Sequence, residues 1–132
     1  MNVLAAGRTT EADHWTLTTD DGPLGRHVGV EVTRADGRRL WGTGSVLDPG
    51  PQTDLVQLAT GSDDAGPSTL IVYARADVRA VVVRLSDGTR EDLRLHALPD
   101  RTDVRVAVLV HPRRLDVHRM DLYDAAGARF PD

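Results

Sequence analysis

The chain has 132 residues and contains neither cysteine nor lysine. Without cysteine there is no disulfide framework, iron–sulfur cluster, thiolate zinc site or cysteine nucleophile. A chain of this length buries a core without such staples. Aromatics are scarce, with two Trp, two Tyr and one Phe, so the core must be built from aliphatic side chains, mainly Val and Leu. No apolar run reaches the length of a membrane span, and direct membrane insertion is not expected. The opening Met1 to Gly7 lacks the basic region and long apolar stretch of a signal peptide. Every one of the 16 basic residues is arginine, which reads as the mark of a GC-rich genome rather than of function. Acidic residues outnumber them and the formal charge is −4, so no nucleic-acid partner is expected.

Helical patterns are equally scarce. Prolines and glycines interrupt most intervals, and the apolar segments are rich in β-branched residues. Several of those segments alternate with period two, the pattern of a strand with one buried face. His14 to Thr19 places Trp15 and Leu17 on one side. Val28, Val30 and Val32 alternate with Gly29, Glu31 and Thr33. Asp36-Gly37 then leads to a returning strand from Arg39 to Ser45 with Leu40 and Trp41. Asp-Gly between two such runs is a hairpin signal, since both residues tolerate left-handed backbone angles. Asp48 to Pro51 is a loop, Leu55 to Ala59 a short apolar run, and Gly61 to Ser68 a polar loop. Leu70 to Ala74 and Val78 to Leu85 resume strand character. Asp87-Gly88 makes a second hairpin into Arg90 to His96. Val104, Val106, Val108 and Val110 alternate without a fault, and Leu115 to Tyr123 follows. A last turn at Asp124 to Gly127 leads to a tail that holds Phe130 against the core. These features predict one all-β domain over residues 1–132, about eight strands in a two-sheet antiparallel β-sandwich.

No arrangement of residues singles out a reaction. The histidines, His14, His27, His96, His111 and His118, form no ligand pair at metal spacing. His111 and His118 flank a turn and read as surface strand residues. Asp20-Asp21, Asp63-Asp64, Asp100 and Asp103 lie in predicted loops without the spacing of a calcium loop. The three glutamates, Glu11, Glu31 and Glu91, give no opposed carboxylate pair, and no GxSxG elbow marks a nucleophilic serine. No catalytic residue, metal or cofactor is therefore assigned. Surface features remain. Trp15 and Trp41 are each either core residues or stacking platforms, and Arg113, Arg114 and Arg119 make a basic corner interleaved with aspartates.

Three stretches also carry a likeness. Leu70 to Tyr73 with Val78 to Thr89, Val104 to Leu109 with Met120 to Gly127, and the opening Gly7 to Thr18 resemble small β-rich domains of actinobacterial proteins. Those domains are largely uncharacterised. The resemblance implies an immunoglobulin-like fold, an extracytoplasmic or membrane-protein-attached setting, and no catalytic residues. It also implies a cysteine or two in the first half, where this chain has none. The expected function is that of a non-catalytic interaction or structural module that binds a protein partner or itself. The alternative is a module that binds a small ligand or carbohydrate through Trp15 or Trp41. Terminal strands offer unpaired backbone groups for protein contact. His14 to Thr19 and Leu115 to Tyr123 are the expected edges.

Overall fold

A computed structural model describes residues 2–23, 25–40, 43–62 and 67–131. Among these residues there is no helix, and twelve strands carry the fold. They are β1 (Asn2–Arg8), β2 (His14–Gly22), β3 (Gly25–Thr33), β4 (Arg39–Leu40), β5 (Gly44–Leu47) and β6 (Val56–Ser62). There follow β7 (Ser68–Arg75), β8 (Ala80–Leu85), β9 (Arg90–Leu93), β10 (His96–Leu98), β11 (Arg101–His111) and β12 (Val117–Tyr123).

All the pairings are antiparallel. They make three sheets where the sequence predicts two. The N-terminal sheet has the order β1-β2-β3-β4, with β5 on the same strand β3. A middle sheet runs β10-β11-β7-β6, and an outer sheet runs β12-β8-β9. The physical reason lies in β7 and β11. Every residue from Ser68 to Ala74 is buried, as is every residue from Val106 to Val110. A strand with one solvent face alternates; these two do not, because their sheet is covered on both sides.

Two cores result. Leu17, Val28, Val30, Val32 and Leu47 of the N-terminal sheet pack on Ile71, Tyr73, Val104, Val106, Val108 and Val110 of the middle sheet. On the other face, Leu70, Val72, Ala74, Ala107 and Leu109 pack on Val81, Val83 and Leu85 of the outer sheet. Phe130 closes the rim of this second core, so the tail does turn inward. Polar ties cross the first interface. The Ser45 and Tyr73 hydroxyls are hydrogen-bonded, as are those of Thr43 and Thr69. Gly61 allows the second contact: a Cβ there would lie 1.9 Å from Thr43 Oγ1.

The segment between β5 and β6 carries the chain from one layer to the next, and charged groups pin it. Arg101 holds Asp103 with two hydrogen bonds, 2.8 and 2.9 Å long. The same guanidinium donates to the carbonyls of Asp48 (2.9 Å) and Gly50 (3.1 Å). Asp103 in turn accepts from the Gln52 backbone at 3.0 Å. These donors, Arg101 first, hold the Asp103 carboxyl well below the usual carboxylate range.

The turns differ in detail from expectation. In the Asp-Gly hairpins only the glycines have positive φ, 88° at Gly37 and 89° at Gly88. In each, the glycine N–H bonds back three residues, to Arg34 O or Leu85 O, while Asp36 or Asp87 caps the N–H two residues on. This is a three-residue loop with a left-handed glycine, not a two-residue turn with two left-handed residues. Asp124 to Ala128 repeats the same geometry, with φ of 79° at Gly127. The strand expected over His14 to Thr19 runs further, as far as Gly22, which pairs with Gly25.

Candidate functional site

The sequence-predicted surface residues do not converge on one place. Trp15 lies on β2, half-buried against the first core, and its indole lies over Gly7 of β1. A Cβ at Gly7 would come within 2.6 Å of that ring, so the glycine makes the indole's seat. Trp41 falls outside the described residues, as do Asp63 and Asp64. Arg113 is exposed in the turn after β11 and forms a 2.7 Å ion pair with Glu11. Arg114 is also exposed and lines a polar recess with Thr60, Ser68 and Val117. Arg119, on β12, belongs to a different cluster.

That cluster is centred on Asp121, whose side chain is only 4% exposed. Arg84 donates to it at 3.0 Å, Arg119 at 2.5 Å and Arg129 at 3.3 Å. The hydrogen bond from Arg84 leads in lowering the Asp121 pKa below its ordinary value. The group lies on the face of the outer sheet that points away from the second core, since Met120 and Leu122 on either side point into it. It ties the edge strand β12 to its neighbour β8. Leu115 to Tyr123 therefore does lie at a sheet edge, whereas His14 to Thr19 lies inside its sheet between β1 and β3.

A concavity of about 530 Å³ lies elsewhere, between β1 and β9. Its floor is Val108, Leu109 and Val110 of β11. β10 pairs with β11 only as far as His96 opposite Val106. Beyond that point, among the described residues, no strand pairs with this edge of β11. Chain order explains the gap. β9 belongs to the outer sheet, and the chain crosses at Arg94 and Leu95 to enter the middle sheet as β10. The second half of β11 is thereby left uncovered along its edge. Trp15 and Leu4 wall the cleft on one side and Leu93 on the other.

Its rim is charged. Arg8, Arg94 and Glu91 line it, and among the described residues no hydrogen bond or ion pair engages their side chains. Asp92 is bonded to Arg90 at 2.9 Å. His96, also on the wall, has its pKa lowered by partial burial and then by the charge of Arg94. Sequence reasoning found Trp15 and missed the rest. The run from Arg90 to His96 alternates without a break, so nothing local marked the crossing at Arg94 and Leu95.

Other chemistry does not assemble. Among the described residues no group of three His, Cys, Asp or Glu is placed to hold a metal ion. Asp21 is paired with Arg26 at 3.0 Å, and Asp103 with Arg101. His111 Nδ1 lies 3.2 Å from the Arg113 backbone nitrogen. No helix among the described residues is long and apolar enough to cross a membrane.

The class defined by fold and site is an all-β, sandwich-like protein of stacked antiparallel sheets with a cleft at a sheet edge. Compared with models of protein families, with curated proteins and with solved structures, the chain matches none.

Proposed function

We propose that this protein is a non-catalytic interaction module that binds another protein through a sheet edge. The observation that carries this reading is the uncovered edge of β11 at the floor of the cleft. A buried backbone N–H or C=O needs a partner, and a strand edge supplies such groups in a row. Extended polypeptide is the chemistry that satisfies them.

The reading includes kinship with the immunoglobulin-like domains of actinobacterial proteins. Strand order within β6 to β12 supports the immunoglobulin-like topology in that reading. The order β6-β7-β11-β10 matches A-B-E-D of that fold, and β12-β8-β9 matches F-C-C′. The bridge from Tyr123 to Arg129 stands where strand G begins. In this assignment the N-terminal sheet is an addition that covers the outer face of A-B-E-D.

The test is to identify a protein retained by the immobilised chain, prepare it pure, and measure its affinity by calorimetry. The expected result is saturable binding that the soluble chain displaces. A sugar or metabolite that bound at micromolar strength and quenched Trp15 fluorescence would overturn the reading in favour of a ligand-binding module.

A further inference from the structure

We infer that the cleft takes a short extended peptide segment of a partner protein, with alternate apolar residues flanked by acidic ones, which adds to the middle sheet as a strand beside β11. This rests on the module reading above and names the partner's chemistry. Three observations converge. First, the uncovered edge runs from Ala107 to His111, about 17 Å at about 3.4 Å per residue, the length of an ordinary short strand. It continues the line of β10, so an added strand would lie in the existing plane of the sheet.

Second, the side-chain positions on either side of that line are already walled. β11 sends Val108 and Val110 towards the N-terminal sheet and Leu109 towards the outer sheet. A strand laid beside it alternates in the same way. One set of its side chains would meet Leu4 and Trp15, and the other would meet Leu93 and Glu91. The first set is asked to be apolar and the second to be small or hydroxylated. Third, among the described residues two guanidiniums, Arg8 and Arg94, stand at the rim without ion-pair partners; of the two carboxylates there, Asp92 is already held by Arg90 and only Glu91 is left to oppose them. That imbalance favours acidic residues at the ends of the guest segment.

The test uses the peptide Asp-Val-Thr-Val-Asp-amide, labelled at its N-terminus with fluorescein through a glycine spacer, titrated with the full chain and followed by anisotropy. A series carries one N-methyl group at each backbone nitrogen in turn. Strand addition uses alternate amides, so methylation should weaken binding about tenfold at alternate positions and little between them. Ala6 lines the cleft and is exposed, and Ala6→Tyr should block entry without touching either core. Arg8→Glu with Arg94→Glu should weaken binding and reverse its salt dependence, since screening now relieves a repulsion. Unchanged urea midpoints would establish that these variants fold.

The inference is overturned if the peptide shows no saturable binding up to about a millimolar. It is overturned equally if methylation weakens binding at no position, or at all positions alike, or if both the Ala6→Tyr and the double-charge variants bind as the parent does. The module reading fails separately. A pure protein partner that binds the Ala6→Tyr variant as tightly as the parent would remove this cleft from the account while leaving the module in place.

Discussion

Removing one hydroxyl tests whether the N-terminal sheet is stacked on the middle sheet as described. Tyr73 on β7 is 3% exposed, and its hydroxyl bonds to Ser45 on β5. Tyr73→Phe keeps the ring and its burial and removes only the bond. Ser45 is half-buried, so its oxygen regains water, and the cost should be about 1 kcal/mol. Ser45→Ala is the harsher change. It leaves the phenol buried without its partner, for about 1–3 kcal/mol. The double variant replaces both partners by apolar groups, and should be less destabilised than Ser45→Ala alone. The assay is urea unfolding with a constant slope, read as the shift in midpoint. A coupling of about 1–2 kcal/mol is expected between the two positions. If the two costs simply add, Ser45 and Tyr73 do not meet, and the register between the layers is wrong. A second reading comes from titration. Burial holds the Tyr73 pKa above that of an exposed phenol, so its absorbance change should follow unfolding at alkaline pH.

Gly61→Ala should cost about 1–3 kcal/mol by thermal melting, because the new methyl meets Thr43 across the layers; a melting temperature equal to the parent's would deny that close approach. Val106→Ala, which opens a cavity at a position with 0% exposure, should cost about 2 kcal/mol in urea. A cost near zero would mean that Val106 faces solvent. Asp103 has a folded-state pKa below its unfolded value, so its contribution is fully present above the unfolded value near about 4 and is lost as pH falls towards the folded one. Asp103→Asn should therefore lower stability at neutral pH and flatten the decline in stability below about pH 4, since the variant has no such proton to take up. An acid limb as steep as the parent's would assign that decline to other carboxylates.

How much of this could be read beforehand depends on what each residue pattern encodes. Alternation at Val28, Val30 and Val32 gave the face of β3 correctly, because that strand has one apolar and one polar side. The same rule applied to Val104 through Val110 found the right strand and stopped short. Ala107 and Leu109, the residues between the valines, are themselves apolar and are packed in the second core. Noticing them would have called for a third layer. Leu70 to Ala74, continuous and buried throughout, carries the same message. β1 was missed because Asn2 to Arg8 is short of β-branched residues and pairs mostly through its backbone with β2. The cleft was not legible for a different reason. It exists because two strands in different sheets end where they do, and no local pattern records where a neighbouring strand stops.

The middle sheet also determines what would happen if the layers were separated. On β7 the odd-numbered Ile71 and Tyr73 belong to one core, and the even-numbered Leu70, Val72 and Ala74 to the other. Stripping away β1 to β5 would bare Ile71, Tyr73, Val104, Val106, Val108 and Val110 as one continuous apolar face. A face of that kind pairs with the next surface it meets. The strands β6 to β12, prepared alone, should therefore aggregate, even though their order describes a nearly complete sandwich. The two cores share a wall, and loss of either exposes the reverse of the other, so the stack should unfold in one cooperative transition.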